Sequence, residues 1–123
     1  MDLVDRGYGL STFKFPTVGA FSDIVLHRLP ERFPDLSWAF IEVTSQWLPY
    51  VLNDVFLRGR RLTGWGFQDG AELMTEYNLY VGCQTVDDLG YVIDRGGDDH
   101  LVIGTDYGHA DTTAEIDALK KLR

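Results

Sequence analysis

The chain has one cysteine, Cys83, so it can form no internal disulfide and no cysteine-rich zinc cluster. It has no apolar run near the roughly 20 residues that a membrane helix needs. Positive charge is also scarce. Nineteen acidic residues face eleven basic ones, a net charge of -8. That balance excludes a sequence-independent nucleic-acid binder, which must present a basic face to the phosphates, and it disfavours docking on an anionic membrane. The opening Met1-Asp2-Leu3-Val4-Asp5 lacks the basic stretch and apolar core of a signal peptide, so a cytoplasmic protein is expected. No Walker loop, dinucleotide fingerprint or Gly-x-Ser-x-Gly elbow occurs. Gly64-x-Gly66 lacks a third glycine and a preceding strand, and is set aside.

What is present is an alternation of strands and helices over 123 residues, enough for one modest domain, with 45% hydrophobic and 24% charged residues. Residues 1–15 read as a loop. From Val18 to about Phe33, apolar residues recur at helical spacing until Pro34. Residues 37–42 form a short apolar run of the kind found in a strand covered on both faces. Ser45 reads as the cap of a helix with Pro49 in its first turn, followed by a loop from Gly59 to Gly66. A short helix from Ala71 to Tyr77, a strand at 79–83 and a helix opened by a Thr85/Asp88 capping box and closed at Gly96-Gly97 come next. His100 to Gly104 is the third strand, and Thr112 with Glu115 opens a last helix through Leu122, with no closing cap before Arg123. Strands separated by helices pair in parallel, so the class is α/β.

Two places carry chemistry-bearing residues at the C-terminal ends of strands, where ligands collect in parallel α/β proteins. One is Gly104-Thr105-Asp106-Tyr107-Gly108-His109. Asp106 and His109 there suit metal binding or proton transfer, and equally suit a turn cap and an exposed loop residue. The other is Glu42, which reads either as a site carboxylate facing the same edge or as a capping or surface residue. Alternation puts Trp38 and Phe40 on the Glu42 side. Gln84 and Thr85 read as turn and cap residues, His27 and His100 as structural, and Cys83 as a small buried hydrophobe. Arg60-Arg61 decide nothing between a surface ion pair and an anionic substrate.

Arg32-Phe33-Pro34-Asp35-Leu36, Phe40-Ile41-Glu42, Trp47-Leu48-Pro49-Tyr50 and Ile103 to His109, in this order, resemble the second amidohydrolase family, the group similar to 2-amino-3-carboxymuconate-6-semialdehyde decarboxylase. The resemblance implies that residues 1–123 are a partial (β/α)₈ (TIM) barrel domain, strands six to eight with their helices. It implies a metal-dependent hydrolase acting on a small carboxylated or lactone-like substrate, or a non-oxidative decarboxylase (a lyase), or a non-catalytic fragment. The family's single divalent metal, usually zinc, is held by a His-x-His pair, a further His and an Asp. By that pattern Asp106 is the metal ligand and general base, and His109 matches the family's closing His, with Gly108 where a Pro is usual. Glu42 stands where the decarboxylase has a His. The His-x-His pair is missing, since the chain's three histidines are His27, His100 and His109. The chain alone is therefore expected to bind metal weakly and to have no turnover. Trp38 and Phe40, facing a barrel axis that three strands cannot fill, would promote self-association.

Overall fold

A computed structural model describes residues 9–62, 64–105, 107 and 117–121. Its centre is a three-stranded, wholly parallel sheet in the order β1-β2-β3, with β1 at Trp38–Phe40, β2 at Leu79–Cys83 and β3 at Leu101–Ile103. Among the described residues six α-helical segments accompany it: α1 (Phe15–Leu26), α2 (Leu29–Arg32), α3 (Leu48–Leu62), α4 (Gly70–Glu76), α5 (Leu89–Gly96) and α6 (Ala118–Lys121). The α/β reading and the parallel pairing hold, with β1 and β3 shorter than their apolar runs suggested.

Several local expectations are corrected. The segment before Val18 is not all loop: residues 9–14 form a π-helical turn and α1 starts at Phe15, where Pro16 sits in the first turn and costs no hydrogen bond. The helix expected to run to Phe33 breaks at Arg28, whose φ of 55° is left-handed, and Pro30 opens the short α2. Helix α3 runs through Gly59 to Leu62 instead of yielding to a loop there. Gly59 is tolerated because a side chain is what the position cannot hold: a Cβ would collide with the Trp65 indole. Asp69 caps α4 by accepting from the Glu72 N–H at 2.9 Å, while Glu72 accepts from the Gln68 N–H at 2.6 Å, a reciprocal arrangement close to a capping box. Asp88, not Thr85, caps α5, accepting from the Tyr91 N–H at 3.2 Å. The expected cap pair of the last helix, Thr112 and Glu115, lies outside the described residues.

The register Trp38↔Leu79, Ala39↔Tyr80, Phe40↔Val81 and Gly82↔Val102 sorts the strands into two faces. Phe40, Leu79 and Val81 lie in one buried cluster with Phe21 and Val25 of α1, Val51, Leu52 and Val55 of α3 and Val92 of α5. Phe40 meets Phe21 edge-on at 5.0 Å, and both meet Trp47, so an aromatic knot joins α1, β1 and the start of α3. Trp38 and Phe40 therefore face the helices rather than an empty axis. The reason is aromatic packing: Phe40 finds Phe21 and Trp47 on that side, and the opposite face carries Ala39, Tyr80, Gly82 and Val102, with Ile41 just beyond β1. That face is partly open, with Ile41 60% and Val102 36% exposed, while Tyr80 packs beside the buried His100.

Candidate functional site

In a parallel sheet all strands end on one side, so the loops leaving β1, β2 and β3 share an edge. After β1 the chain makes two left-handed turns on non-glycine residues, Glu42 (φ 68°) and Thr44 (φ 62°). Such conformations cost of the order of 1–3 kcal/mol each and persist only where the surroundings impose them. Glu42 is exposed and stands beyond the last paired residue of β1, and its left-handed backbone breaks the strand's alternation before the side chain is reached. Ile41 packs its backbone against Gly82 of β2, where a Cβ would come within 3.2 Å of the Ile41 Cα.

The loop is fastened from β2. Asp87 Oδ2 accepts from the Ser45 N–H at 2.8 Å, the Ser45 hydroxyl at 2.9 Å and the Gln84 N–H at 2.9 Å. Ser45 is fully buried, so its hydroxyl serves Asp87 and not the start of α3, where it was expected as a cap. Gln46 adds a second link, its Oε1 accepting from the Asp88 N–H at 2.8 Å. Within the loop, the Trp47 indole N–H donates to the Thr44 carbonyl at 2.8 Å. Asp87 and Gln46 were not anticipated from sequence. The available signal was the doubled Asp87-Asp88 ahead of α5: one aspartate suffices to cap a helix, and the second is free to reach elsewhere. Cys83, at the end of β2, is buried, and burial first and the charge of Asp87 second push its thiol above the ordinary range. The thiol is protonated at neutral pH, in keeping with its reading as a small hydrophobe.

Of the residues singled out in the sequence, Glu42, Gln84 and Thr85 follow strand ends at this edge, as do Gly104 and Thr105 after β3, while Asp106 and His109 lie outside the described residues. His27 is exposed at the end of α1. His100 is buried at the opposite edge of the sheet, its Nε2 3.0 Å from the Thr75 hydroxyl. That hydroxyl spends its proton on the Ala71 carbonyl at 2.9 Å, so His100 donates from Nε2, and its buried Nδ1 has no partner among the described residues. A groove of about 640 Å³ runs between α3 and α5, lined by Tyr50, Asn53, Arg60, Tyr91 and Arg95. It lies on the helical side, and Glu42 is not part of its wall.

Among the described residues, no three His, Cys, Asp or Glu side chains stand close enough to hold a metal ion. No helix among them is long and apolar enough to cross a membrane. No family model, curated protein or solved structure matches the chain.

Proposed function

We propose that the chain is the C-terminal part of a (β/α)₈-barrel hydrolase of the second amidohydrolase family. Its substrate would be a small carboxylated or lactone-like molecule, and Glu42 the group that moves a proton or orients that substrate. The observation that carries this reading is the position of Glu42: an exposed carboxylate on a strained, fastened loop at the C-terminal edge of a parallel sheet. Reactive groups gather at such an edge because rigid strands fix the roots of the loops while the tips stay free to meet ligand. The open sheet face supports the barrel, since further strands closing the sheet would bury Ile41 and Val102.

The described residues do not assemble a donor set for the family's metal, and Asp106 is carried as a ligand by the resemblance alone. What Glu42 contributes is independent of that set: a carboxylate within hydrogen-bond reach of a substrate accepts or returns a proton. The test is a polypeptide extended by whatever reading frame precedes Met1. It is assayed for bound zinc, for hydrolysis of lactones and carboxylated amides, and for release of carbon dioxide. Hydrolysis that falls by about 10²–10⁴ in Glu42→Gln supports the reading. Carbon dioxide release moves it to the decarboxylase branch. A preceding frame with no His-x-His pair, or turnover indifferent to Glu42, overturns it.

A further inference from the structure

We propose that Asp87 is a positioning residue, whose carboxylate ties the loop bearing Glu42 to the loop leaving β2 and so sets where Glu42 stands. The proposal rests on reading Glu42 as the reactive carboxylate, but its geometry involves no substrate. One oxygen of Asp87 receives three hydrogen bonds of 2.8–2.9 Å, two of them from Ser45 and one from Gln84. The partners are far apart in sequence and belong to the exits of neighbouring strands, and the Gln46–Asp88 bond repeats the link one residue further along. Asp87 is not needed to start α5, because Asp88 caps that helix.

The consequence for Glu42 follows from the backbone between them. Glu42 and Thr44 both hold left-handed φ values, and residues with a Cβ relax from that region unless something holds them. Ser45 comes directly after Thr44, is fully buried, and is fixed to Asp87 through both its amide and its hydroxyl. The carboxylate therefore clamps one end of the strained stretch, and β1, paired with β2 through Phe40, holds the other. Releasing the clamp frees Glu42 to swing while the sheet and the helical core stay in place.

The experiment is nuclear magnetic resonance on the full chain, comparing the native protein with Asp87→Ala in the presence and absence of sodium formate. In Asp87→Ala the Ser45 and Gln84 amides should exchange roughly tenfold faster or more, as expected for losing a charge-assisted hydrogen bond. Glu42 and Thr44 should lose the strong intraresidue HN–Hα Overhauser signal of left-handed residues, while the Val51 and Val55 amides of α3 keep their protection. Formate, a carboxylate small enough for the vacated space, should restore the Ser45, Gln84 and Glu42 signals, and sodium chloride should not. If Asp87→Ala does not fold, Asp87→Asn is read by the same signals, with partial loss expected because a neutral acceptor remains. An unmoved Glu42 signal, or a loss of protection spread evenly over β2 and α3 that formate does not reverse, overturns the positioning role. These outcomes are separate from turnover: an inactive extended polypeptide counts against Glu42 as the reactive group and leaves the Asp87 clamp standing.

Discussion

At the scale of single residues, Phe21 is a side chain on which the aromatic knot depends. It is fully buried, and its ring meets both Phe40 and Trp47 edge-on, at 5.0 and 5.3 Å. Phe21→Ala should cost about 3–5 kcal/mol, against the roughly 5–15 kcal/mol that holds a typical domain. Urea denaturation followed by circular dichroism should find the variant largely unfolded or close to it. A loss under about 1 kcal/mol would mean that the knot is not the core's centre.

A buried phenol and an ion pair give a pH prediction at the same scale. Arg28 Nε donates to Glu31 Oε1 at 2.7 Å, and the Tyr77 hydroxyl donates to the same oxygen at 2.6 Å. Arg28 first, and Tyr77 after it, hold the Glu31 carboxyl below the ordinary glutamate range, while burial of its ring raises Tyr77. The depressed Glu31 contributes stability that is present above the ordinary glutamate range and is lost as pH falls through its lowered value. The raised Tyr77 contributes stability that is complete below about pH 10 and is lost as pH rises past it. Thermal melts across pH should therefore fall at both ends. Tyr77→Phe should flatten the alkaline limb and, by removing one donor to Glu31, soften the acid one.

At the scale of elements, two helical glycines make opposite predictions for the same substitution. Gly19 lies exposed in α1 with open space where a Cβ would go, so Gly19→Ala should stabilise by about 0.5–1 kcal/mol through helix propensity and a less flexible unfolded chain. Gly59→Ala gains the same propensity but drives a methyl into the Trp65 ring, and overpacking costs about 1–3 kcal/mol, so it should destabilise on balance. Equal signs in denaturant titrations would contradict the packing of Trp65 on α3. Element boundaries show why local pattern was only partly informative. The apolar periodicity of 18–33 was correctly helical in kind, yet it runs across the break at Arg28, because a left-handed residue paired with Glu31 leaves no mark in hydrophobic spacing.

At the scale of the whole molecule, the helices cover one face of the described sheet, and the other face leaves Ile41 and Val102 exposed. Parallel sheets are normally buried on both faces, and the outer edges of β1 and β3 present backbone groups with no strand beyond them in the described sheet. The chain should self-associate, and Ile41→Lys should weaken the association by setting a charge on the partly exposed face. Analytical ultracentrifugation over a range of concentrations reads both, and a monodisperse native chain would show that the face needs no cover.

The order of strands and helices, the parallel pairing and the place of Glu42 after the first strand were legible in the residues alone. Each depends on short-range physics: hydrophobic spacing, proline and glycine punctuation, and the need for a crossover between parallel strands. The faces of β1 were not legible, because alternation says which residues share a face and not which face the helices cover. Phe21, 19 residues before Phe40, and Trp47 decide that by forming a three-ring contact with it. The Asp87 clamp lay equally out of reach. A carboxylate beside a helix cap looks like a second cap until folding brings Ser45, 42 residues earlier, within 2.8 Å of it. Tertiary structure alone chooses among the donors that such an acceptor can reach, and that choice holds Glu42 at the edge of the sheet.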